Sequence, residues 1–291
     1  SIEEIYRENI AEYWGLLAKH FLQAQNLQKA AEYSRLEAKK AQRAAAYLDA
    51  IEYAHVSIDC FEQLQKSDSV KRRLIDARAV LAGYYLSLSR FSEAKEAVDP
   101  IFNMAIELNY EKKLPQLYNA IGAYKFWIDE AIVEAVDLFK KARLISEKIQ
   151  NSASLWLSTY FLGITLSGLC KFDKGLEYFN RALDLSFEGK NPISISFTKG
   201  ATTAFNYHYQ GKIDEAYRSG KESLVLAEQS GDIYVQGMAF TSYGIPCYLK
   251  GLLEEAQKCL TRRLELCRKS SLIIWGVWAS FWLGELLVEK H

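Results

Sequence analysis

Apolar side chains recur along this chain at intervals of three and four residues. Leu176, Phe179, Ala182 and Leu183 are a representative run, and spacing of this kind places residues along one stripe of an α-helix. Such stretches follow one another, separated by short polar corners. Four prolines in 291 residues are few for a fold rich in strands and loops. The pattern predicts a chain that is nearly all helix. Pro100 and Pro246 fall inside predicted helices, where each removes a backbone hydrogen bond and is expected to kink or break its helix.

The corners repeat. "QGKIDEAYRSG" from Gln210 has near-copies in "KGLLEEAQKCL" from Lys250, "LCKFDKGLEYF" from Leu169 and "LSRFSEAKEAV" from Leu88. Their small residues, with Ala135, form the series Ala94, Ala135, Gly175, Ala216 and Ala256, spaced by 41, 40, 41 and 40. Twelve residues before each stands another small residue: Ala82, Ala123, Gly163, Ala204 and Gly244. A fixed period near forty marks stacked supersecondary units. Two antiparallel helices approach nearest where side chains are smallest, so the paired small residues read as the contact point of a helical hairpin. Asp173 and Asp214 then lie near the start of a second helix, where the dipole favours an acid. One hairpin cannot bury its own apolar faces, whereas a stack of them can.

The small pair twelve apart and the "x-[KR]-apolar-x-[EK]-[AG]" corner resemble tetratricopeptide repeats. The period of forty is longer than that family's usual one, which implies helices about one turn longer. The family's tryptophan early in the first helix is replaced by Arg78, Asn119, Thr159, Gly200 and Phe240, and its proline after the second by Ile106, Glu147, Phe187, Glu228 and Arg268. The N-terminal stretch is similar to the region that follows the P-loop ATPase module in large bacterial signal-transduction regulators fused to cyclase, kinase or DNA-binding outputs. The matching residues are Leu17, Ala18, His20, Phe21, Lys29, Ala30, Glu32 and Tyr33, then Ala50, Ile51, Glu52 and Tyr53. These resemblances imply an all-α fold: a single 1–291 domain, a right-handed superhelical solenoid of about seven hairpins. The final stretch puts Gly284 forty residues after Gly244, which reads as the first helix of a truncated repeat in a fragment of a longer protein.

Composition narrows the function. Thirty-six basic and thirty-six acidic residues cancel, which gives no footprint for nucleic acid or a membrane surface. Lys71-Arg72-Arg73 and Arg262-Arg263 read as solvated helix faces. The five cysteines include no CxxC pair, a pattern that fits reduced thiols in a cytoplasmic compartment; Cys170 and Cys247 read as small hydrophobes. No P-loop, HExxH, GxSxG or EF-hand pattern occurs. None of the four histidines has a His or Cys at metal spacing. The expectation is a protein without catalytic residues, metal or cofactor.

In the resembled architecture the first helix of each hairpin lines an inner surface. The positions so placed include Tyr124, Trp127, Tyr160, Ile164, Phe205, His208, Ile245 and Tyr248. Of twenty such positions only Asp76 carries a fixed charge, which excludes the family's Lys/Arg/Asn carboxylate clamp. Aromatic residues with polar tips dominate binding hot spots, so this lining is expected to hold a protein or peptide partner, as the sensing arm of a signalling ATPase. Two alternatives stay open: a self-association platform, with Trp275, Trp278 and Trp282 of the last helix forming a homodimer contact, and a sensor for a small-molecule or peptide inducer.

Overall fold

The computed structural model describes residues 9–270 and 273–289. Among these residues there is no strand. A short 3-10 turn, Ile10–Tyr13, leads into α1 (Trp14–Gln23), α2 (Leu27–Arg43), α3 (Tyr47–Gln63), α4 (Asp68–Ser87), α5 (Phe91–Glu107) and α6 (Leu114–Trp127). The chain continues through α7 (Ile132–Lys148), α8 (Ser152–Gly168), α9 (Phe172–Glu188), α10 (Pro192–Thr202), α11 (Ile213–Ser230), α12 (Ile233–Leu249), α13 (Leu253–Ser270) and α14 (Ile273–Glu289). It forms two compact units, one ending at Ile128 and the other beginning at Asp129. The division falls between α6 and α7, which the small-residue frame pairs as one hairpin.

Within each unit every helix packs on the next. The even-numbered helices also touch one another: α4 meets α6 in the first unit, and α8, α10, α12 and α14 meet in succession in the second. They form the inner layer. Their apolar faces accordingly wrap most of the way round. Every residue from Ser158 to Ser167 on α8 is buried, as is every residue from Thr241 to Cys247 on α12. Odd-numbered helices are amphipathic; α9 buries only Gly175, Phe179, Ala182 and Ser186.

The paired small residues do meet. An added Cβ on Gly175 would lie 3.0 Å from the Gly163 carbonyl oxygen and 2.3 Å from Ser167 Oγ. One on Gly163 would lie 2.7 Å from the buried Phe179 ring. A tighter approach joins α11 to α12, where a Cβ on Gly220 would sit 2.6 Å from the Ser242 carbonyl oxygen. Pro246 lies four residues after Ser242 and has no N–H to offer that carbonyl. The glycine therefore aims a Cα–H at an oxygen the proline has left free, a weak but favourable contact. Neither proline breaks its helix: α5 runs through Pro100 and α12 through Pro246.

The corners share one conformation. Gln25, Ala45, Ser89, Asn109, Gln150, Cys170 and Lys190 all have φ between 47° and 58°, and Gly211 and Gly251 have φ 68° and 74°. Each residue after them donates its N–H five residues back, as Ala46 does to Ala41 (2.9 Å), Lys171 to Leu166 (2.9 Å) and Leu252 to Cys247 (2.9 Å). This closes the helix with a left-handed residue. Cys170 is thus an exposed corner residue, which corrects its reading as a small hydrophobe; Cys247 is fully buried.

Candidate functional site

The inner residues fall into two groups. In the first unit, α6 carries Tyr124 and Trp127, both half-buried. Trp127 stacks on Phe91 of α5 at 5.5 Å and 8°, and meets Phe126 edge-on at 4.9 Å. Lys95 places its ammonium 5.2 Å from the Tyr124 ring centroid. These are packing contacts that also blunt the charge of Lys95.

In the second unit the depth varies. Tyr160, Ile164, Phe205 and Ile245 are buried. Tyr160 is stacked on Trp156 at 5.3 Å, and burial pushes its phenol well above the ordinary range. His208 and Tyr248 are half-buried. Helix α14 lies against them: Trp282 meets His208 edge-on at 5.3 Å and Tyr248 at 5.7 Å, and Trp278 meets Phe205 at 5.6 Å. Five rings from three inner segments thus form one cluster. Burial lowers the His208 imidazole below its usual 6.5, and its Nδ1 has no hydrogen-bond partner among the described residues. Tyr209, in edge contact with His208 at 4.7 Å, is 57% exposed.

Trp278 and Trp282 therefore face their own chain. The large apolar residues that α14 exposes are Val277 (62%), Phe281 (59%), Leu287 (40%) and Val288 (79%). The side chain of Trp275 lies outside the described residues.

A backbone irregularity shapes this cluster. Helix α10 passes into a π-helical turn, Thr203–Tyr207, and then a 3-10 turn, His208–Gln210. Such turns swing the following side chains off the regular helical stripe. Asn206 holds the turn in place, donating to Ser167 Oγ (2.9 Å) and to the Phe172 carbonyl (2.8 Å) and accepting from Gln210 (2.6 Å). The wide turn is not visible in the periodicity, where Asn206 is one of several buried polar residues with Thr198, Thr202 and Thr203.

Arg263 overturns the solvated-face reading of Arg262-Arg263. It occupies the position seven residues after the corner's small residue, equivalent to Ile101, Ala142, Ala182 and Ser223. All five are buried, Arg263 completely. Its three guanidinium nitrogens have no hydrogen-bond partner among the described residues, and burial lowers its pKa to about 10. Glycine at 237 makes the room: a Cβ there would lie 1.7 Å from Nη1. In the first unit, Arg72 is half-buried too, donating to the Leu108 carbonyl at 2.9 Å and lying over the Tyr110 ring.

No group of three or more His, Cys, Asp or Glu among the described residues is arranged to hold a metal. No helix of the described residues is long and apolar enough to cross a membrane.

No protein-family model and no curated sequence matches the chain. Solved structures do match in shape. The Rap conjugation gene regulator of plasmid pLS20, in complex with the Phr peptide, is similar with a TM-score of 0.64 and 14% identity, over 88% of this chain and 73% of that one. Apo RapI is similar with a TM-score of 0.62 and 13% identity, over 89% and 98%. A Signal Transduction ATPase with Numerous Domains from Pyrococcus horikoshii, which has a tetratricopeptide repeat sensor, is similar with a TM-score of 0.59 and 14% identity. That match covers 99% of this chain and 45% of the ATPase. The fold is a tetratricopeptide-like helical-repeat solenoid.

Proposed function

We propose that the chain is a cytoplasmic, non-catalytic repeat domain that binds a peptide or protein partner and regulates a larger signalling ATPase. The observation that carries the reading is the half-exposed ring set His208, Tyr248 and Trp282 in the second unit, contributed by successive inner segments and flanked by exposed Tyr209 and Phe281. Rigid aromatics gathered from separate helices offer contact area at little entropy cost. Tyr160, Ile164, Phe205 and Ile245 hold the helices beneath it, and Tyr124 and Trp127 offer a smaller surface in the first unit. Two similar structures support a peptide as occupant, since both are Rap proteins in complex with one, the Phr* peptide and the competence and sporulation factor. The ATPase with a repeat sensor supports the regulatory setting.

The test is selection of binders from a random peptide library, followed by calorimetry. Selected peptides should bind the native chain and lose about tenfold or more in affinity on His208→Ala plus Tyr248→Ala. A library that yields no binder, or binders indifferent to the double variant, would overturn the reading.

Association of two copies is a second reading, favoured by the exposed Val277, Phe281 and Val288 on one face of α14. Sedimentation at rising concentration separates the two: a Phe281→Glu chain that stays monomeric while native chain dimerises would support it.

A further inference from the structure

Arg263 is the one charged side chain among the described residues that is completely sealed from water. The preceding repeat shows what its place asks for. Ser223, at the same repeat position, lies where α10, α11 and α12 meet: an added Cβ on Gly200 would be 3.1 Å from both Ser223 Oγ and Ser242 Oγ. A polar group is satisfied there, because Ser223 and Ser196 each donate to the other's carbonyl at 2.8 Å.

The last repeat lacks that arrangement. Ser196 stands five residues after the cap Asn191, and five residues after the cap Asp232 stands Gly237. Gly237 gives the guanidinium room but no side-chain acceptor, and all three nitrogens go without a partner among the described residues. By the same correspondence α14 closes over Arg263 as α12 closes over Ser223. Cys267, one turn further along α13, faces α14 directly, since a Cβ on Gly276 would lie 3.3 Å from its Sγ.

Helix α14 is lightly held. Of its described side chains only Ala279 and Leu286 are buried, whereas α12 is buried along most of its length. An element with few buried apolar contacts opens more easily than the core around it. The unpaired charge beneath it acts in the same direction. A guanidinium without acceptors is costly to keep dry, and water entering under the helix returns its hydration.

We propose that α14 is a lid that opens while the rest of the second unit stays folded, favoured by hydration of Arg263, and that its opening uncovers Phe205, His208 and Tyr248. The closed lid lays Trp278 on Phe205 and Trp282 on His208 and Tyr248. The open lid offers Phe205, which is otherwise buried. The lid therefore sets how much of the ring set is accessible, and it stands on the packing of Arg263, with or without a peptide partner.

The experiment is hydrogen–deuterium exchange of the whole chain without any ligand. Amides of residues 277–289 should exchange at least about tenfold faster than those of residues 158–167 in α8. Arg263→Met should slow exchange at 277–289 about tenfold or more. Gly237→Ala, which presses on the guanidinium, should speed it about tenfold, and adding Arg263→Met to that chain should remove the effect. Lys190→Gly is the control: it stabilises the unit at a corner away from α14, so it should slow residues 158–167 severalfold and leave 277–289 unchanged. Equal exchange of the two segments in the native chain would overturn the proposal. So would an Arg263→Met chain in which 277–289 exchange as before, or a Lys190→Gly chain in which both segments slow alike. The Arg263→Met comparison decides alone if Gly237→Ala fails to fold.

Discussion

The first three helices and the inner helices of the second unit use small residues to opposite ends. Around α1–α3, alanines line an open groove whose edge carries Lys19 and Lys40 beside Glu37, Asp49 and Glu52. Around α8–α12, glycines bring backbones together until a carbonyl of one helix sits where the next would carry a Cβ. The difference lies in what stands opposite. A small residue facing a bare backbone closes the gap, and one facing another small side chain at ordinary helix spacing leaves a hole. The repeat pattern marks where such residues sit; their partners decide between a seam and a pocket.

The largest effect should come from closing off one seam. Gly220→Ala places a methyl 2.6 Å from the Ser242 carbonyl. Overpacking against backbone should cost about 3 kcal/mol, outweighing the gain of about 1 kcal/mol in helix propensity. Gly83 on α4 has nothing within 4 Å of an added Cβ, so Gly83→Ala should gain that 1 kcal/mol undiminished. Urea denaturation of the two variants measures the contrast. Equal effects of the two would erase the distinction between a clasped and an open glycine.

Arg263 sharpens the comparison at one repeat position. Ile101 in the first unit and Arg263 in the second occupy equivalent, fully buried sites. Replacing an unpaired buried charge by an apolar residue of similar length should stabilise, so Arg263→Met should raise unfolding free energy by about 2 kcal/mol. Ile101→Met should cost up to about 1.5 kcal/mol. Gly237→Ala should be better tolerated in the Arg263→Met background, where the guanidinium is gone, and a double-mutant cycle measures that coupling.

A smaller effect follows pH. Burial holds the His208 imidazole below 6.5. The unfolded chain therefore binds this proton at higher pH than the folded one. Its contribution to stability is complete above pH 6.5 and declines as pH falls from there toward the folded value. Melting temperature should drop on going from pH 7 to pH 5, and drop less in His208→Phe. The smallest effect concerns the corners, which both units share. Ala45 and Lys190 have φ 56° and 48°, a conformation that costs a side-chain-bearing residue about 1 kcal/mol. Ala45→Gly and Lys190→Gly should each gain about 0.5–1 kcal/mol, equally in the two units.

What could be read from the sequence was the alternation of inner and outer helices. Gly163 and Gly175, twelve apart, meet as their spacing implies, and the length of the helices follows from the period. The pairwise corners were harder to see, because Ala45, Ser89, Gln150 and Lys190 adopt the left-handed turn without being glycine. The π turn at Thr203–Tyr207 adds no mark to the period. Arg263 was misread because charge signals exposure until a glycine on another helix is known to receive it. The groove that Ala18, Ala41 and Ala46 line is unmarked in the sequence for the same reason, since alanines there read simply as good helix formers. That Trp278 covers Phe205 and Trp282 covers His208 and Tyr248 is not marked by the period, because the covering helix is brought to them only by the packing of the second unit.

Hydrogen–deuterium exchange of the chain with and without a selected peptide tests the central claim most directly. The account predicts that added protection gathers at residues 203–210, at the end of α12 around Tyr248, and on α14. Protection confined to the first unit, or spread evenly over both, would contradict it.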